Sequence, residues 1–164
     1  KLIFVGPDLG VSAQGRPAMF FDEFVQSVFP EALRRRVLYL GQLPRNRIAE
    51  LRTRAFVSIV ASRWENQGYT AIEAMLQGCP VIVTDVGGMN EFIQHGGTGL
   101  LARPNDIGDL CAKMAALLKD PGLARQLGER ARPYVMEWFS GEKHAAETID
   151  FYREAISTAK ATGT

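Results

Sequence analysis

The sequence predicts an α/β domain built as a doubly wound parallel sheet with helices on both faces. Three observations carry that expectation. Short apolar runs of strand length recur at 2–5, 37–40, 56–60, 81–84 and, more weakly, 100–101. Helical patterns, with apolar residues three and four apart, separate and follow them. The runs are continuously apolar rather than alternating, which suits strands covered on both faces.

Taken in order, "LIFV" at 2–5 gives the first strand. A helix is expected over 17–29, with Phe20, Phe21, Phe24, Val25 and Val28 as its apolar residues and Pro30 as its stop. Strands follow at 37–40 and 56–60. The next helix begins near Tyr69; at 100° per residue Ala71, Ile72, Met75, Leu76 and Cys79 form its buried stripe. Glu73, its only charge, lies at the stripe's margin beside Tyr69 and Gln77. The strand "VIVT" at 81–84 and the short run at 100–101 come next. After Asn105 and Asp106, the residues Ile107, Leu110, Cys111, Met114, Leu117 and Leu118 make one helix face that stops near Pro121, with Cys111 in the core. A second helix starts at Pro121. A last one covers about 140–156, with Ala145, Ile149, Tyr152 and Ile156 on one side, and the final "TAKATGT" is expected to fray.

At 164 residues and 46% hydrophobic content the chain suits one domain with a sizeable core. Nineteen basic residues nearly cancel eighteen acidic ones, so no net field draws nucleic acid or an anionic membrane. The Arg34-Arg35-Arg36 run reads as a helix end complementing the dipole. Two cysteines more than thirty residues apart make no metal or redox motif and fit a reducing compartment. The apolar runs are too short to cross a bilayer, and no signal peptide is recognisable. Because "KLIFVG" opens without methionine and already within a strand pattern, we expect a piece of a longer cytoplasmic protein, truncated at its amino end.

Ligands of open parallel sheets bind beyond the carboxyl ends of the strands. Gly6, Gly41, Gly68, Gly87 and Gly88 fall in those loops, where glycine lets backbone amides approach an anion; glycine also serves any tight βα turn. The stretch "RWENQGYTAIEAM" is the most informative. It follows the strand "AFVSIVAS" and enters a helix, so the amides of Gly68, Tyr69, Thr70 and Ala71 make an anion site at the helix's positive end. Glu73, one turn further in, is placed to accept from paired hydroxyls such as those of a ribose, or to stabilise the dipole as a first-turn acid. Glu65 on the loop can meet sugar hydroxyls or solvent. Arg63, His95 and His144 read as surface residues. Trp138, Phe139, Phe151 and Tyr152 make either an exposed patch or core.

The segment "ENQGYTAIEAM" resembles the Glu, seven residues, Glu motif of retaining glycosyltransferases of the GT-B fold, particularly the family 4 group, also called glycosyl transferases group 1. Its continuation "LQGCPVIVTDVGGMNEFIQHGGTGLLARPND" and the upstream "RVLYLGQLP" are similar to that family too, and the likeness runs from Leu2 to about Ile156. The resemblance implies the C-terminal, Rossmann-like half of a GT-B fold, binding a nucleotide-diphosphate sugar as donor substrate with no metal and no other cofactor. On it, Glu73 holds the ribose, the amides of Tyr69 and Thr70 take the diphosphate, and Gln67 and Gly68 meet the donor sugar with Glu65. Gln42 and Leu43, after Gly41, face the base; Gly6, Gly87 and Gly88 line the site.

The resemblance further implies that an acceptor glycan, lipid or small molecule binds a separate N-terminal domain, onto which the terminal helix crosses, and that the parent sits in the cytoplasm or at the inner face of the membrane. The family's first strand carries an arginine and then a lysine that neutralise the diphosphate; neither has a counterpart here, so the chain alone is expected to be inactive. Asn66 and Gln67 stand where the family frequently has proline and an aromatic residue. Two other readings remain: a non-catalytic nucleotide-binding module, and a sugar-nucleotide epimerase of similar architecture.

Overall fold

The computed structural model describes residues 1–10 and 18–162. They fall into two compact units, Lys1–Glu50 and Leu51–Thr164, each described by itself.

In the first unit β1 (Leu2–Phe4) pairs in parallel with β2 (Val37–Tyr39), Leu2 opposite Val37 and Phe4 opposite Tyr39. Helix α1 (Phe21–Val28) sits between them in sequence. The Phe21 ring meets Phe4 edge-on at 5.2 Å and stacks on Tyr39 at 4.9 Å, so three aromatic side chains tie the helix to both strands. The helix expected from 17 starts at Phe21, and Pro17 lies outside the described residues. The short α2 (Glu31–Arg34) follows Pro30. Arg34 donates to the carbonyls of Gln26 (2.7 Å) and Phe29 (3.0 Å), so the arginine run supplies a cation to the end of α1.

Helix α3 (Arg45–Arg54) begins after Pro44, whose carbonyl accepts from Arg47 and Ile48, and runs from this unit into the next. The sequence reading did not anticipate it, because Ile48, Ala49 and Leu51 make only a brief apolar stripe in a polar run.

In the second unit β3 (Ser58–Val60), β4 (Val81–Thr84) and β5 (Leu100–Ala102) form a parallel sheet in that order. Around it stand α4 (Tyr69–Leu76), α5 (Met89–Phe92), α6 (Ile107–Lys119) and α7 (Pro121–Trp138), and α8 (Gly141–Thr162) ends the chain. All four β4 residues are buried. Val81 and Val83 pack in one cluster with Ile72 and Met75 of α4, Met89 of α5, and Ala131 and Val135 of α7. Ile82 packs in another with Leu100, Leu117 of α6 and Leu127 of α7. That two-sided cover is why "VIVT" does not alternate, and each such aliphatic side chain contributes about 1.5–3 kcal/mol by leaving water. The α/β fold with parallel strands and flanking helices is thus the one expected.

Helices α6 and α7 start where their capping residues dictate. The Asp106 carboxylate accepts from the Asp109 N–H at 2.9 Å, and that of Asp120 accepts from the Leu123 N–H at 3.0 Å. Pro121 then occupies the first turn of α7.

Some packing expectations need correction. Cys111 is exposed, not core. The covered face of α6 is centred on Leu110, Met114 and Leu117; Ile107, Cys111 and Leu118 fall on the neighbouring stripe and meet solvent. On α4, Leu76 is exposed and Ala74 takes its place in the core. The aromatics of the last helices divide: Phe139 packs against Phe92 at 5.6 Å, whereas Phe151 and Tyr152 are exposed. Helix α8 continues past 156 into the segment expected to fray. Among the described residues no helix is long and apolar enough to cross a membrane.

Candidate functional site

The expected site residues lie in both units. In the first, Gly6 follows β1 and donates its N–H to the Gly41 carbonyl at 3.0 Å, while its own carbonyl accepts from the Tyr39 hydroxyl at 2.7 Å. The loops after β1 and β2 are thereby joined. Gln42 is exposed and Leu43 half-buried on the turn between β2 and α3.

In the second unit the loop after β3 leads into α4. Gly68 caps that helix with φ +63°, a left-handed conformation that a side chain rarely adopts. A Cβ there would also meet the end of the Met89 side chain, which would have to shift, so the positive φ is what favours glycine. The reversal leaves the first turn open: among the described residues, none accepts from the N–H of Tyr69 or of Thr70. Both residues are exposed. The Ala71 amide, expected to be free as well, donates to the Gly68 carbonyl at 2.8 Å, which tightens the first turn. Two amides at the amino end of α4 therefore have no acceptor among the described residues.

Glu65 is half-buried, with its Oε2 accepting from the Ser62 hydroxyl at 3.1 Å. The Ser62 carbonyl in turn accepts from the hydroxyl of Thr84, a buried residue at the carboxyl end of β4. One chain of hydrogen bonds thus runs from the central strand to the carboxylate. Gln67 is exposed next to it.

Gly87 and Gly88 press on the backbone of this loop. A Cβ on Gly87 would overlap the Glu65 carbonyl, one on Gly88 would overlap that of Asn66, and the Gly88 N–H donates to the Glu65 carbonyl at 3.2 Å. The segments after β3 and β4 are packed into one surface at the strand ends.

Glu73 is half-buried and carries a partner the sequence did not suggest: Nη1 of Arg52, in the last turn of α3, lies 2.7 Å from its Oε2. Sequence reasoning also missed Ser62, Thr84 and Met89. A lone polar residue closing an otherwise apolar buried strand was the available signal for Thr84; nothing pointed to Arg52, because α3 itself was not foreseen. Of the surface residues, Arg63 is exposed, as is His95, whose Nδ1 accepts from the Leu101 N–H at 2.9 Å, and His144 stands 3.6 Å from Glu147. Among the described residues no group of three or more His, Cys, Asp and Glu side chains could hold a metal ion.

A family described as Glycosyl transferases group 1 matches residues 24–134. The chain is 39% identical over 121 residues to N-acetyl-alpha-D-glucosaminyl L-malate synthase of Bacillus anthracis, an alignment covering 74% of this chain and 31% of that protein. Sucrose-phosphate synthase of Thermosynechococcus elongatus is similar in structure with a TM-score of 0.70 and 31% identity, over 96% of this chain and 39% of that one. HepE of Anabaena, solved in complex with UDP-glucose, is similar with a TM-score of 0.73 and 26% identity, over 90% and 40% of the two chains. The chain spans about a third of the length of the curated relatives it matches.

Proposed function

The chain belongs to the glycosyl transferases group 1 family, and from that premise we propose that it is the donor-binding part of a retaining glycosyltransferase. The donor is a nucleotide-diphosphate sugar. The observation that carries the reading is the amino end of α4, where the free amides of Tyr69 and Thr70 stand between Glu65 and Glu73.

In this reading those amides bind the diphosphate, helped by the helix dipole, worth about half a positive charge. Glu73 accepts from the ribose hydroxyls. Glu65, held by Ser62, meets the donor sugar together with Gln67 and Gly68. Cleaving the glycosyl–phosphate bond leaves negative charge on the departing diphosphate, and donors already aimed at that charge lower the barrier. The acceptor, a glycan, lipid or small molecule, attacks from the face the phosphate leaves, which retains configuration without Glu65 acting as nucleophile. We assign it to a further domain of a longer protein, and we assign the chain no metal.

The similarity to a UDP-glucose complex makes uridine nucleotides the first to test. Calorimetry with UDP, GDP, ADP and their sugar conjugates is expected to show binding of one base, and Glu73→Ala to abolish it. Absence of affinity for all three diphosphates overturns the proposal. Donor binding without transfer or hydrolysis in the longest available form of the protein would reassign it as a nucleotide-binding module.

A further inference from the structure

Arg52 and Glu73 form an ion pair between two helices distant in the chain. The Arg52 side chain is only 13% exposed, yet it ends on a carboxylate that is 44% exposed, at 2.7 Å. Its neighbour Cys79 offers no competing charge, because burial pushes that thiol up to about 11 and keeps it neutral.

A glutamate on a helix margin has three rotatable torsions and, left alone, spreads over several rotamers. The guanidinium restricts that freedom through one contact, Nη1 to Oε2, and leaves Oε1 to accept other donors. Arg52 itself lies in the last turn of α3, just before the sheet's first strand, with its side chain largely buried.

We infer that Arg52 is a positioning residue for ribose recognition: it holds Glu73 by one oxygen so that the other receives a sugar hydroxyl in a preset geometry. The inference rests on the donor-site reading above and adds to it a residue outside the glutamate motif. Preorganisation of this kind increases affinity by removing the ordering cost at binding, and it does so only for a ligand that carries the hydroxyl.

The test follows from that condition. The affinity of the protein for its preferred diphosphate among UDP, GDP and ADP is measured beside that for the corresponding 2′-deoxynucleotide, in the wild type and in Arg52→Met and Arg52→Lys. The wild type is expected to prefer the ribonucleotide by roughly tenfold, the scale of one hydrogen bond to a charged group. Arg52→Met is expected to bring that ratio close to one while leaving the deoxynucleotide affinity within about twofold; Arg52→Lys keeps part of the preference.

A purely structural ion pair would weaken both nucleotides together, so an unchanged ratio in a folded Arg52→Met or Arg52→Lys protein overturns the inference. Should Arg52→Met not fold, Arg52→Lys and Arg52→Gln carry the same measurement. A wild type that binds no nucleotide overturns the donor-site reading itself, and a wild type that binds ribo and 2′-deoxy forms equally overturns the contact of Glu73 with the 2′-hydroxyl, and this inference with it, but leaves the donor-site reading standing.

Discussion

Gly87 is packed against the carbonyl of Glu65 so closely that the space where a side chain would begin is already taken by that oxygen. The next residue, Gly88, donates its N–H to the same carbonyl at 3.2 Å. The loop after the central strand thereby determines where the backbone of the Glu65 loop can lie.

Gly87→Ala is expected to displace that loop, because the obstacle is backbone and because φ is +51° at this position. The cost should be about 1–3 kcal/mol in urea unfolding, typical of overpacking, with nucleotide affinity falling further than stability alone explains. Gly88→Ala meets the Asn66 carbonyl and should behave likewise. Wild-type nucleotide affinity in Gly87→Ala would refute this coupling of the two loops.

Gly128 opposes two effects. In the middle of α7 a glycine costs about 1 kcal/mol relative to alanine, so helix propensity favours Gly128→Ala. A Cβ there, however, would overlap the Gly78 carbonyl just after α4, a turn held by the Gly78 N–H donating to Met75 at 2.9 Å. The clash should win, giving net destabilisation of roughly 1–2 kcal/mol and a lower melting temperature. A more stable variant would mean that α7 can move away from α4.

The two cysteines should respond differently to a thiol reagent. Cys111 is exposed on α6 and should react at once; Cys79, buried and pushed up from 9.0 to about 11, should react only on unfolding. Its raised folded value means the neutral thiol contributes stability below pH 9.0 that is lost as pH rises towards 11. Counting thiols before and after denaturant checks this, and rapid native labelling of both would contradict the burial of Cys79.

Acid should act in part through Asp109. The Arg103 N–H donates to its Oδ2 at 2.8 Å and holds the carboxyl below its ordinary 3.8, with Lys113 and Arg103 adding their charges. A depressed carboxylate stabilises above its unfolded value, and that contribution disappears as pH falls through the folded one. The stability difference between wild type and Asp109→Asn, read from urea midpoints, is expected to shrink from pH 7 to pH 3. A difference independent of pH would remove Asp109 from the acid response.

Much of the fold was legible because its strands are local and their burial is extreme. The run 81–84 lies between helices on both faces, and such a run has no polar position to hide. The helix starts after Asp106 and at Pro121 were legible for the same reason, since the capping hydrogen bonds of Asp106 and Asp120 span three residues. Helix α3 was not legible, because its sequence is polar and none of its residues is buried, so no apolar period marks it. Cys111 was misplaced because two adjacent apolar stripes run along α6 and only contact with the sheet decides which is covered.

The sequence by itself determined the parallel α/β scaffold, the start of α4 and the spacing of Glu65 and Glu73 across Gly68, since each is set by neighbours within a few residues. Tertiary structure alone decided that Arg52 meets Glu73 from 21 residues away, that Thr84 reaches Glu65 through Ser62, and that Gly87 and Gly88 brace the loop before α4. Those contacts join segments distant in the chain, and their geometry depends on how the strands align, which no local pattern of residues encodes.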